Sequence, residues 1–199
     1  MIKNIIWDFD GVLINSNHIR TAAFEEIFKD FKQEAVEDLI NFHESNGGLS
    51  RYFKIRYFFE KILMTNVSKD EVNFYAENYS NFVKPLLKND RLLITKTNNF
   101  ISLNKYNYRM FIVSASDEFE LRELCAFFDF NLFLEIKGSP TNKKENISNL
   151  IQDYKLINFE TMIIGDSYND YEAALYNNIH FMAFNNPNLK KHTSIELFK

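Results

Sequence analysis

Residues 5–17 read IIWDFDGVLINSN. An apolar run ends in two aspartates, Asp8 and Asp10, with one phenylalanine between them and Gly11 behind. Like charges that close repel each other unless a proton or a cation stands between them. The run reads as a short buried strand over 3–7, and its polar end needs a compensating partner. In an open parallel sheet the ligand crevice lies outside the carboxyl ends of the strands. Polar residues at other strand ends are therefore the candidates for that partner.

The rest of the chain supplies such ends. After Asn15 the pattern turns helical. Ile19, Ala22, Ala23, Phe24, Ile27, Phe28 and Phe31 form one broad apolar stripe. Further helices are predicted over 34–43, 50–64 and 68–87, the last opening on Ser68 and Glu71 at capping-box spacing and reaching Pro85. The adjacent glycines Gly47 and Gly48 mark a turn between helices. From about residue 109 the period alternates. Strands are expected at 109–113, 132–136, 161–165 and 179–184, with helices at 117–128, 143–154 and 169–177 and a short one from Ser194. Strands alternating with helices form a parallel sheet covered on both faces. The fold class is α/β, a Rossmann-like parallel sheet with helices on both faces. An all-helical segment, 15–88, interrupts a core made of 1–14 and 89–199. Its hinges are expected near Leu13–Ser16 and Lys84–Asn89.

The bulk composition narrows the function. The 199 residues carry a net charge of −4 and no basic run, which argues against nucleic acid as a partner. No apolar run approaches the roughly 20 residues of a membrane span. The first residues lack a signal-peptide pattern, and a single cysteine, Cys125, allows no internal disulfide. A cytoplasmic protein without membrane contact is the expectation. The 21 phenylalanines and 10 tyrosines are too many to mark a stacking site. The four histidines show no zinc-ligand spacing, and neither GxGxxG nor GxxxxGK[ST] occurs.

Four predicted strand ends carry polar groups: Asp8 and Asp10; Ser114 in FIVSAS; Lys143 or its neighbour Lys144 in GSPTNKKENI; and Asp166 with Asp170 in IIGDSYNDYE. Ser116 is expected to cap the helix that follows Ser114. Ser167 and Asp170 also stand three apart, at capping-box spacing, so Asp170 can serve the fold, the site or both.

These elements, in this order from Ile5 to about Asn185, resemble the haloacid dehalogenase-like hydrolase superfamily, and the helical insertion resembles that family's cap. The resemblance implies a phosphatase of small phosphate monoesters that uses Mg²⁺. Asp8 would be the nucleophile and Asp10 the general acid and base. Ser114 would bind the phosphoryl group, with Gly11 and Ala115 beside it. Lys143 would neutralise charge; spacing from Gly138 favours it, with Lys144 as the alternative. Asp8, the backbone carbonyl of Asp10, Asp166 and Asp170 would hold the metal. In the cap, Arg51 follows GGLS, as in some sugar-phosphate-processing relatives, and with His18 it is a candidate substrate contact. Lys54 and Arg56 are read as surface residues. A sugar phosphate is the favoured substrate. A sugar phosphomutase and a non-catalytic anion-binding module are the alternatives.

Overall fold

The computed structural model describes residues 1–198. Five parallel strands form one sheet in the order β3-β2-β1-β4-β5. They are β1 (Asn4–Trp7), β2 (Arg109–Asp117), β3 (Ile136–Ser139), β4 (Thr161–Gly165) and β5 (His180–Ala183). β1 lies at the centre, with Ile5 opposite Met110 on one side and Met162 on the other. All four of its residues are buried, as expected for a strand covered on both faces.

The side-chain period of two divides the core. Ile5 and Trp7 face one layer, built from α5 (Thr95–Asn104), α6 (Glu118–Phe127) and the aromatic tail. Ile6, Phe111, Val113 and Ile163 face the other, built from α7 (Lys143–Asp153) and α8 (Tyr168–Tyr176). Burying apolar surface on both faces is the main force holding the sheet, at about 25 cal/mol per Å².

The insertion after β1 is wholly helical: α1 (Asn17–Ile27), α2 (Gln33–Ser45), α3 (Arg51–Tyr57) and α4 (Lys69–Leu87). α3 runs on into one π-helical turn, Phe58–Ile62. Ser68 and Glu71 cap each other at the start of α4, with Glu71 N–H donating to Ser68 Oγ at 3.2 Å and Ser68 N–H to Glu71 Oε2 at 2.9 Å. Nine of the 21 phenylalanines lie here, with Phe28 and Phe58 ring centres 4.1 Å apart and Tyr75 stacked on Phe28. Composition thus served packing. The two connections to the core run side by side, joined by an antiparallel bridge between Ile14 and Leu93 and by Asn15 N–H donating to Leu92 O at 2.7 Å.

Several expectations need correcting. The third strand is at 136–139 rather than 132–136. Phe133 and Phe130 turn into the aromatic core, and regular pairing with β2 begins only at Ile136. α4 runs through Pro85 to Leu87, as its predicted span 68–87 anticipated, so of the expected hinge Lys84–Asn89 only the part from Lys88 lies outside the helix. The segment from Ser194 to Phe198 is not a helix. It has no regular secondary structure, with Ser194 N–H bonded to Phe181 O at 2.9 Å and Phe198 against Trp7 and Phe100. Among the described residues no helix is long and apolar enough to cross a membrane.

Gly11 joins the fold to the polar strand end. Its φ is +77°, and a Cβ there would lie 2.0 Å from Asp166 Oδ2. Only glycine tolerates both the conformation and the approach. Gly11→Ala is expected to lower stability by about 1–3 kcal/mol, measurable as a lower urea midpoint with an unchanged slope.

Candidate active site

The C-terminal ends of β1, β2 and β4 and the first turn of α7 open into one cavity of about 430 Å³, roofed by α1, α3 and the turn before α3. Asp8 sits on its floor, 5% exposed. Lys143 Nζ donates to Asp8 Oδ1 at 2.8 Å and to Asp170 Oδ1. Asn142 caps α7, accepting from Glu145 N–H at 3.0 Å, which puts Lys143 at the first helical position and aims it inward. Lys144 points away and pairs with Glu172 at the surface.

Asp8, Asp166 and Asp170 each bring a carboxylate oxygen within 4.8 Å of the others. One ammonium faces three acids. Burial raises the Asp8 carboxyl well above its ordinary value; Asp170 and Asp166 push the same way and Lys143 opposes them. Burial and then Asp170 push Asp166 up to about 7, against a hydrogen bond that Asn17 Nδ2 donates to its Oδ2 at 3.0 Å. The surplus of negative charge and the all-oxygen donor set suit a hard divalent cation. Asp170 is committed twice. Its Oδ2 accepts from Ser167 N–H at 3.0 Å and Oγ at 2.6 Å, closing the cap of α8, while Oδ1 meets Lys143.

Asp10 has a different environment. Ser16 Oγ donates to its Oδ1 at 2.5 Å and Arg20 Nε to the same atom at 3.0 Å. Ser116 Oγ donates to Oδ2 at 2.6 Å. Burial alone would raise its carboxyl, but Arg20, Ser116 and Ser16 prevail and hold it below the usual range. Asp8 and Asp10 thus escape their mutual repulsion by facing opposite partners.

The clamp on Asp10 extends into the cap. Arg20 Nη1 also donates to Glu120 Oε1 at 2.5 Å. Arg51 grips the same carboxylate through two nitrogens at 2.8 and 2.9 Å, with Ser80 Oγ at 2.5 Å and its guanidinium over the Tyr79 ring. Glu120, on α6 of the core, is fully buried between two cap arginines, which keep its carboxyl low despite burial. Beside it, Lys54 Nζ meets His43 Nδ1 at 2.8 Å. Burial above all, then the Lys54 charge, drive His43 down to about 3, so His43 is neutral and accepts from Lys54. Burial lowers Lys54 to about 7. On the far side Asn169 Nδ2 donates to Gly48 O at 2.7 Å, where a Cβ on Gly48 would strike Asn169.

The other anticipated residues fall as follows. Ser114 and Ala115 line the cavity, and Ser114 Oγ accepts from Ser116 N–H at 3.1 Å. Arg51 also lines it, with its charge already matched by Glu120. His18 is an exposed residue on the cavity wall. Gly11 is not part of the lining; it lies behind Asp166, its N–H bonded to Ile14 O at 2.8 Å. Ser116 is not the helix cap: Asp117 caps α6 by accepting from Glu120 N–H at 3.1 Å, which frees Ser116 for Asp10. Lys54 is not a surface residue, being 2% exposed, because it shares a helix face with Arg51, Ile55 and Phe58. Arg20, Glu120 and His43 were missed. Their signal was a titratable residue inside an apolar helical stripe, as with Arg20 beside Ile19, Ala23 and Phe24.

Comparison with known proteins agrees with this geometry. The family model for haloacid dehalogenase-like hydrolases matches residues 5–184. No curated protein sequence matches the chain. Among solved structures, β-phosphoglucomutase from Clostridium difficile is similar at 16% identity and TM-score 0.78, over 99% of this chain and 91% of that one. CbbY from Rhodobacter sphaeroides in complex with phosphate is similar at 17% identity and TM-score 0.74, over 100% and 91%. A predicted phosphoglycolate phosphatase from Haemophilus somnus is similar at 19% identity and TM-score 0.73, over 96% and 92%.

Two predictions follow from the charges. Asp166 binds its proton more tightly folded, at about 7, than its ordinary 3.8. That contribution is present below 3.8 and lost as pH rises through 7. Without divalent cations the melting temperature should therefore fall from pH 5 to pH 8, and Mg²⁺ should restore more at pH 8. Asp166→Asn should flatten the metal-free profile and reduce the Mg²⁺ effect. Separately, Glu120→Gln strips the shared counter-charge from Arg20 and Arg51. It should cost about 3–5 kcal/mol in chemical denaturation.

Proposed function

Since the chain belongs to the haloacid dehalogenase-like hydrolases, we propose that it is a Mg²⁺-dependent phosphatase of small phosphate monoesters, acting through an aspartyl phosphate on Asp8. One observation carries this reading. A buried carboxylate stands at the floor of a roofed cavity, 2.8 Å from a buried ammonium and beside two further carboxylates.

A phosphate ester is anionic, so Asp8 cannot approach it unaided. Asp8, Asp166 and Asp170, with the Asp10 backbone carbonyl, are the groups that would hold Mg²⁺. When bound, the ion supplies charge neutralisation between carboxylate and phosphoryl oxygens. Lys143 steadies Asp8 and meets charge on the transferred group. Ser114, whose Oγ accepts from Ser116 N–H, keeps its own O–H for a phosphoryl oxygen. An Asp8 oxygen attacks phosphorus and the ester P–O bond breaks, the leaving oxygen taking a proton from Asp10. Water then attacks phosphorus, Asp10 takes a proton from it, and the Asp8–phosphorus bond breaks to release phosphate. The clamp of Arg20, Ser16 and Ser116 suits Asp10 to the second half. To carry a proton in the first half it must loosen that grip. General acid–base help of this kind is worth about 10²–10⁴-fold.

The helical roof would exclude bulk water during transfer. A sugar phosphate, which the resemblance of the GGLSR turn to that of sugar-phosphate-processing relatives implies, is one candidate substrate class. A phosphomutase would use the same floor and return the group to a second hydroxyl. Mg²⁺-dependent release of inorganic phosphate from a panel of small esters tests the reading. Isomerised sugar phosphate without free phosphate would select the mutase. Asp8→Asn should reduce turnover by at least about 10³-fold while leaving the circular dichroism melt near wild type. An Asp8→Asn protein as active as wild type would remove Asp8 as nucleophile.

A further inference from the structure

Four lysine and arginine side chains line the cavity: Arg20, Arg51, Lys54 and Lys143. Three are matched. Arg20 pairs with Asp10 and Glu120, Arg51 with Glu120, and Lys143 with Asp8 and Asp170. Lys54 alone has no carboxylate partner among the described residues. Its Nζ meets a neutral imidazole nitrogen at 2.8 Å and the carbonyl of Gly47 at 3.4 Å. Glu44, the cap carboxylate on the same wall, is exposed and makes no bond to it. An ammonium has three donors, so one remains for the cavity. Burial lowers the Lys54 pKa to about 7 while the charges of Asp10 and Asp166 act the other way, so an anion placed beside Nζ would hold the proton that burial tends to remove. Packing does not require the amine, since methionine fills similar space. Arg51, the residue whose place in sequence suggested a second substrate contact, has its charge spent on holding the cap to the core.

We propose that Lys54, held in place by His43, is the cap's recognition point for a second anionic group on the substrate, so that the preferred substrates are phosphate esters that also carry a carboxylate or a second phosphate. This rests on the cavity being a phosphate-ester site. Asp8 and Lys143 take the reacting phosphate at the floor, and Lys54 takes the second anion under the roof. The 430 Å³ cavity lies within the usual range for a small-molecule ligand rather than an isolated ion. The substrate's own charge then supplies the counter-ion that the protein withholds. An ester lacking the second anion leaves Lys54 unmatched and is rejected by that deficit.

The test reads binding, so it does not depend on turnover. Isothermal titration calorimetry, with Mg²⁺ present, would compare alkylphosphonates of two to five carbons with matched ω-carboxyalkylphosphonates and α,ω-bisphosphonates. At some chain length the doubly anionic ligand should bind wild type at least ~10-fold more tightly than its alkyl match. The better of the two charged series identifies the second group. In Lys54→Met that advantage should vanish, and Lys54→Gln, kept as a second variant, should lose most of it. Lys54→Met should melt at or above wild type, because it removes a buried amine that no carboxylate pairs with. The proposal is overturned if no length shows the advantage in wild type. It is equally overturned if the advantage survives Lys54→Met or Lys54→Gln, or if Lys54→Met melts well below wild type with the preference intact. Failure of the phosphatase reading looks different: charged phosphonates still bind through Lys54, but no ester releases phosphate.

Discussion

The crowding of three carboxylates around one ammonium governs this molecule. Asp8, Asp166 and Asp170 leave two strands and the start of a helix, and Lys143 alone answers them. Such a cluster survives because the sheet places β1 and β4 side by side, with their polar ends level. Ser167 takes part of the Asp170 charge by making it a helix cap. What remains is a deficit of positive charge aimed at the cavity floor, where an oxygen-seeking cation would settle.

The second arrangement of charge joins core to cap. Glu120 reaches from α6 and is gripped by Arg20 of α1 and Arg51 of α3, and Arg20 in turn holds Asp10. A buried ion triad adds little net stability. It does fix which surface of the cap faces the core, and it ties the cap's position to the group expected to handle protons. Tyr79 completes the arrangement, its hydroxyl donating to Arg20 O at 3.1 Å beneath the Arg51 guanidinium.

Much of this was legible in the residues. The alternation of types after residue 109 was enough for a parallel sheet, because strands covered on both faces are short apolar runs. The strand-end acids and Lys143 were readable because the topology of such a sheet brings its carboxyl ends together. The failures came where tertiary pairing outweighs local pattern. Ser116 looked like a cap because it precedes acids, yet Asp117 was as good a cap and Asp10 was in need of donors. Lys54 and Arg56 looked alike as basic residues on one helix. The 3.6-residue period, followed through Arg51, Ile55 and Phe58, separates them: Lys54 lies on that inner face, and Arg56 points to solvent with Glu60. Charges seated within apolar stripes belong to networks that only the fold assembles, so their partners could not be read from spacing.

The paired passage of the chain at Ile14 and Leu93 has a mechanical consequence. Both connections cross at one place and are stitched together there, so the four-helix lid is tethered along a single edge. Sliding or twisting would tear that stitch, whereas swinging about it leaves it whole. Away from that edge the lid is fastened by the grip on Glu120, by Tyr52 on Asp117 and by Asn169 on the Gly48 carbonyl, so swinging the door means releasing all of these at once.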